Sequence, residues 1–214
     1  MPTIILINPN TSTATTHTMV AIAQACAPAG VLIEGLTAPF GSPLITNAAQ
    51  LACAAHAVIA LTPSIKADGV IVSAFGDPGC DELASLLACP VVGIGAASMR
   101  VAATSGRRFS VATTTPELVD SIRSRAAALN LDQQLVSIRL TAGDPTILTA
   151  DAARLEAALA DAVRLAIIED GAQAVIIGGG PLARAAHALA PQFNVPIIEP
   201  IPAAVQAMVQ TLMG

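Results

Sequence analysis

The chain has no tryptophan, no tyrosine and a single lysine, Lys66, among its 214 residues. Only 2% of it is aromatic while 54% is hydrophobic, so its core must be aliphatic and alanine-rich, a composition that lets helices lie close on sheets. Basic residues are scarce: ten Lys and Arg against fifteen Asp and Glu leave a net charge of −5, with no footprint for a nucleic-acid backbone. No uninterrupted apolar run approaches the roughly 20 residues of a membrane span, and the apolar start TIILI lacks the length and positive flank of a secretion signal. These absences predict a soluble cytoplasmic protein with neither nucleic-acid nor membrane partners. The four cysteines, Cys26, Cys53, Cys80 and Cys89, form no C-x-x-C pair, and His17, His56 and His187 are scattered. That spacing signals no metal site and no disulfide framework. The run GGGPL has neither G-x-G-x-x-G spacing nor a P-loop Gly-Lys pair, so no nucleotide is indicated and no cofactor is expected.

What the chain does have is alternation. Apolar runs bounded by Gly, Pro or Asn (TIILINPNTS, VLIEGLTAP, GVIVSAFGDPG, PVVGI, RFSVATTTPE, VSIRLTA, AVIIGGGPL, VPIIEPI) are separated by Ala-rich helical stretches. Buried strands followed by helices are the pattern of parallel α/β units. The two halves also match at an offset of 105 residues: Leu6-Ile7-Asn8 falls on Val111-Ala112-Thr113, and Val70-Ile71-Val72 on Val175-Ile176-Ile177. With one residue of slip, Pro90-Val91-Val92 falls on Pro196-Ile197-Ile198. The repeat predicts an α/β protein of two pseudo-symmetric parallel-sheet lobes with a cleft between them. The first lobe would be 1–95, joined by 200–214, and the second 96–199.

In such sheets ligands sit beyond the carboxyl ends of the strands, where loops carry the chemistry. The loops in question are NPNTS, SAFGDPG, ATTTPE and GGGPLA. Their small polar side chains and exposed amides suit a carboxylate, imide or amide, a small-molecule partner held between the lobes. Asn8, Asn10, Ser73, Ala74, Phe75, Gly76, Thr113, Thr114, Gly178, Gly179 and Gly180 are the expected binding positions. Asn8 and Asn10 flank Pro9, so they either contact ligand or close an Asx turn. Cys80 is the expected catalytic thiol. With Asp77 capping the following helix and Pro78 in its first position, Cys80 would lie in the first turn, where unpaired N–H groups favour a thiolate. Asp81 and Glu82 oppose that ionisation, and packing as a small apolar group is the alternative.

INPNTS after the first strand, FGDPG after the third, PVVGI and RRFSVATT together make the chain resemble the aspartate/glutamate/hydantoin racemase superfamily, most of all its hydantoin and allantoin racemase branch. The resemblance covers nearly the whole length and implies two pseudo-symmetric lobes around an active-site cleft, often assembled into homo-oligomers. It implies cofactor-independent proton transfer at a carbon next to a carbonyl, with one thiolate removing the proton and a second thiol returning it on the opposite face. Carried over by motif, the first cysteine falls at Ala74 and the second at Gly179, positions that the repeat also pairs. Neither side chain moves a proton. Three functions follow: a racemase-like isomerase acting on a small hydantoin, amide or amino-acid-like substrate, a binding protein that keeps the cleft without the chemistry, and a related decarboxylase or lyase.

Overall fold

The computed structural model describes residues 1–180 and 182–214 in full and residue 181 by its backbone. The chain begins with β1 (Thr3–Asn8), α1 (Thr13–Cys26), β2 (Leu32–Thr37), α2 (Ala48–Ala60), β3 (Gly69–Val72), α3 (Cys80–Leu86), β4 (Val91–Gly93) and α4 (Ile94–Ala102). It continues through β5 (Phe109–Thr113), α5 (Val119–Ala128), β6 (Leu135–Leu140), α6 (Pro145–Thr149), α7 (Ala152–Ile168), β7 (Ala174–Ile177), α8 (Ala183–Leu189), β8 (Ile197–Ile198) and α9 (Pro200–Met213). Two four-stranded parallel sheets result, ordered β2-β1-β3-β4 and β6-β5-β7-β8.

The repeat survives in the strand register. Ile7 lies opposite Val72, and 105 residues on, Ala112 lies opposite Ile177. Val70 faces Val91 as Val175 faces Ile197, which reproduces the one-residue slip. The central strands are buried along their length, which explains why they read as continuous apolar runs with no alternation. Local chemistry sets the helix starts: Ser12 accepts from Thr15 N–H to cap α1, Asn47 from Gln50 N–H to cap α2, and Asp151 from Arg154 N–H to cap α7.

Two runs expected as strands end in helix. PVVGI is strand only through Gly93, and VPIIEPI only at Ile197–Ile198, because Ile94 opens α4 and Pro200 opens α9 at the first helical position. These two helices correspond in the repeat and exchange places: α4 packs on β7, β8 and α5, while α9 packs on β3, β4 and α1. They also pack on each other. The central core is consequently shared, running from Ile4, Leu6 and Ile71 through Met99 and Met208 to Phe109, Val111 and Ile176. Smaller apolar clusters line the outer face of each sheet. Among the described residues no helix is long and apolar enough to cross a membrane.

Candidate active site

A cavity with an interior volume of about 70 Å³ opens at the carboxyl ends of both sheets. Of the expected binding positions, Asn10, Ser73, Ala74, Phe75, Gly76, Thr113, Thr114, Gly178, Gly179 and Gly180 line it. Asn8 does not. Its buried amide Nδ2 lies 2.8 Å from Asn10 Oδ1 and 3.0 Å from both the Ser12 carbonyl and Thr16 Oγ1, while its Oδ1 accepts from Asn10 N–H at 3.1 Å. Asn8 thus closes the Asx turn, and Asn10 is the residue presented to the cavity. The second lobe repeats this device with hydroxyls: Thr113 and Thr115, 105 residues beyond Asn8 and Asn10, bond to each other at 3.3 Å. Thr113 also donates to the Gly178 carbonyl at 2.9 Å, tying two cavity loops together.

The lining that sequence reasoning missed comes mainly from apolar side chains: Leu44 and Ile45 after β2, Leu51 in α2, Leu118 and Ile122 at α5, and Leu182. Thr115, Ser121 and Thr149 add hydroxyls. Thr115 was accessible through the repeat from Asn10, and Leu182 through its place in the GGGPLA loop. The segments after β2 and β6 carried only their position at strand carboxyl ends as a signal.

Glycines set how closely the lobes meet. A Cβ built on Gly178 would lie 2.6 Å from Val111 Cγ1 and 3.3 Å from Phe75, and one on Gly180 would lie 2.7 Å from the Ser73 carbonyl oxygen. Gly179 differs: its φ of 166° is extended backbone that any residue adopts, and its nearest neighbour is the Leu182 side chain at 3.0 Å.

The structure puts Cys80 in the first turn of α3, as expected, but outside the cavity lining. It is 5% exposed and belongs to the apolar cluster of Ile5, Ile7, Val58, Val70, Val72 and Leu83 under the first sheet. Burial, reinforced by the charge of Asp77, pushes its thiol up to about 12. The helix-start effect amounts to about 1 kcal/mol and does not offset that desolvation. This position favours packing over proton transfer.

Asp77 does not cap α3, whose N-cap is Gly79 at φ 70° with no side-chain bond. It caps α4 instead. Its Oδ1 accepts from Gly95 N–H and its Oδ2 from Ala96 N–H, both at 2.7 Å, and Arg125 Nε donates to Oδ2 at 2.8 Å. Burial pushes the Asp77 carboxyl up to about 6 against the lowering pull of Arg125 and the two backbone donors.

Every described side chain that lines the cavity is therefore neutral. Its hydrogen-bonding capacity comes from Asn10, from Ser and Thr hydroxyls, and from main-chain N–H groups. Those of Ala74 and Phe75 on one side, and of Thr114 and Thr115 on the other, donate to no other described group. Such an arrangement can hold carbonyl oxygens from two sides while apolar walls exclude water. Among the described residues, no group of three His, Cys, Asp or Glu side chains is placed to hold a metal ion.

Two parallel-sheet lobes with strand-end loops around one cleft, arranged by a sequence repeat, define a pseudo-symmetric α/β protein of the racemase type. Residues 4–208 match the Asp/Glu/Hydantoin racemase family, and the chain belongs to it. It is similar to a hydantoin racemase of Paenarthrobacter aurescens, 28% identical over 206 residues that cover 94% of this chain and 87% of that one. Among solved structures it resembles the allantoin racemase from Klebsiella pneumoniae, with a TM-score of 0.93 and 30% identity over 99% of this chain and 88% of the other. The allantoin racemase from Pseudomonas fluorescens matches equally well in shape, with a TM-score of 0.93 and 30% identity over 98% and 90% of the two chains.

Proposed function

We propose that this member of the racemase family binds a small neutral cyclic amide or imide, of the hydantoin type, in the cleft between its lobes without inverting it. The observation that carries the reading is the neutral lining. Deprotonating a carbon next to a carbonyl requires a base within reach on one face and an acid on the other. Ala74 and Gly179 occupy the positions to which the family resemblance assigns those thiols, and Cys80 lies outside the lining. The free N–H groups would still hold a carbonyl in its ground state, and the uncharged walls disfavour a zwitterionic amino acid, whose charges would be desolvated without partners.

The competing reading is cofactor-independent racemisation by proton transfer, which membership of a family that includes hydantoin and allantoin racemases favours. One experiment separates the two. Single enantiomers of 5-methylhydantoin, 5-benzylhydantoin and allantoin are incubated with the protein in deuterated water, and thermal unfolding is followed in parallel. Binding at a hundredfold excess over Kd contributes about 2.7 kcal/mol, a rise of roughly 5–10 °C in Tm for a chain of this size. Stabilisation with no deuterium gained at C5 beyond the protein-free rate supports the binding reading. Deuterium uptake with loss of optical purity replaces it with the racemase one. Stabilisation by none of the three compounds would remove hydantoins as the ligand class.

A further inference from the structure

We propose that Asp77 and Arg125 are positioning residues for the cleft, an ion pair that fixes the α5 wall of the cavity relative to the Ala74–Gly76 wall and thereby sets ligand affinity. The proposal rests on the cavity being the ligand site. Asp77 directly follows Gly76, a lining residue, and its carboxylate side chain is fully buried. Arg125 stands one turn beyond Ser121 and Ile122, which also line the cavity, and the helical period aligns Ser121 with it on one face of α5. The 2.8 Å contact between Arg125 Nε and Asp77 Oδ2 therefore bridges the segments immediately behind two opposing walls. The same carboxylate also accepts from Gly95 and Ala96 N–H, so three segments distant in sequence meet at one group.

Two further observations show that the arrangement is specific. Asp77 holds a φ of 47°, in the left-handed region that costs a non-glycine residue about 1–3 kcal/mol and persists only where surroundings over-determine it. Gly93 and Gly95 leave the space that the carboxylate occupies, since a Cβ on Gly93 would collide with Asp77 and one on Gly95 with the Phe75 carbonyl. Arg125 is 16% exposed, with exposed Asp81 its second partner at 3.4 Å, and Cys80 is the other titratable α3 group beside it. A buried pair of this kind contributes little net stability and is suited to fixing geometry.

The test uses the full chain with Arg125→Ala, Arg125→Lys and Asp77→Asn. Amide hydrogen exchange of the ligand-free protein is read at the hydrogen-bonded amides of the two cleft segments, Asp77 N–H on the Ala74 carbonyl and Leu118 and Val119 N–H on the Thr115 and Pro116 carbonyls, and, as the control, in β1 and β5. Affinity for 5-methylhydantoin is measured by titration calorimetry, with and without millimolar guanidinium ion. Arg125→Ala is expected to speed exchange about tenfold at both cleft segments through local opening, while the β1 and β5 controls speed only by the factor that the loss of global stability sets. Kd should rise by a similar factor, and added guanidinium should restore both. Uniformly faster exchange, or no change at the cleft segments, overturns the proposal. If Arg125→Ala fails to fold, Arg125→Lys carries the same comparison, since it keeps the charge and loses the Nε contact. Failure of the wild type to bind 5-methylhydantoin counts against that ligand, while the exchange data still decide whether the pair positions the cleft.

Discussion

The loops Ser73–Asp77 and Gly178–Leu182 occupy the same place in the two lobes and solve it with different chemistry. The first ends in a buried carboxylate that satisfies the opening N–H groups of α4 and an arginine from the other lobe. The second ends in Leu182, an apolar cavity wall. The helices they face explain the difference. α4 opens with Ile94-Gly95-Ala96, whose N–H groups need partners, whereas α9 opens with Pro200-Ile201-Pro202, in which two of the orphan donors do not exist. The register of the two central strands of each sheet was kept to the residue while the loops at the strand ends diverged. The fold therefore tolerates chemical asymmetry where function is built, and charge at only one of the two positions makes the lobes separable by mutation.

The largest expected effect comes from giving both loops the same reactive group. Ala74→Cys/Gly179→Cys places a thiol on each lobe; Ala74 already carries a Cβ, and Gly179 needs only that Leu182 yield. Relative to the wild type, the double variant should racemise 5-methylhydantoin roughly 10²-fold faster or more, the usual contribution of positioned acid–base groups. Chiral chromatography is the measurement. Neither single variant should racemise, because inversion requires a donor on each face. An active single variant would break the premise that the two loops act as opposed halves.

Next in size is loss of the ion pair. Arg125→Ala leaves a buried carboxylate without its counter-charge and should cost about 3–5 kcal/mol, read from urea unfolding midpoints. Asp77→Leu copies the second lobe's solution onto the first and should cost less, about 2–3 kcal/mol, since it strands two backbone donors and a partly hydrated guanidinium. In Asp77→Leu/Arg125→Met the two losses should sum to less than the singles, because the pair is removed as a unit.

The glycine side of the comparison gives a smaller effect. Gly180→Ala meets the Ser73 carbonyl and Met19 Sδ, and Gly178→Ala meets Val111, so each should lower stability by about 1–3 kcal/mol through overpacking. In the first loop Ala74→Gly, which copies Gly179 of the second, removes a methyl and should cost about 1 kcal/mol. Differential scanning calorimetry of the three variants ranks them.

How much of this was legible in the sequence depends on the range of the interactions. The two matching parallel sheets followed from the 105-residue repeat because buried parallel strands leave continuous apolar runs. Ten cavity positions followed from the rule that loops at strand carboxyl ends face the cleft. For Asn8 the pattern NPNTS left ligand contact and an Asx turn both open; its bonds to Asn10, Ser12 and Thr16, the last beyond the pattern, turn its amide inward. Asp77 looked like a cap for the nearest helix, but its partners Gly95 and Arg125 lie 18 and 48 residues away. Cys80 was placed in the correct turn by local rules. Its burial against Ile5, Val58 and Leu83 belongs to tertiary packing, which desolvates the thiol.

Titration separates stability from positioning at Asp77. Burial raises its carboxyl from 3.8 to about 6, so between those values the folded chain binds a proton that the unfolded chain has released. By linkage, the stability contributed by this group is greatest below about pH 4, falls as pH rises to about 6, and is constant above that. The total change is on the order of 3 kcal/mol. The cleft should respond in the opposite sense, because protonation removes the charge that draws Arg125 across. Subtracting Asp77→Asn from wild type isolates both quantities. From pH 7 to pH 5 the wild type should gain stability relative to the variant in urea unfolding, while its hydrogen-bonded amides at Asp77, Leu118 and Val119 exchange faster after correction for the intrinsic rate. Leu182, the second lobe's equivalent, has no proton to exchange, so Leu182→Ala should keep both pH trends of the wild type. Stability and cleft protection that rise and fall together would show the pair to be a structural strut alone.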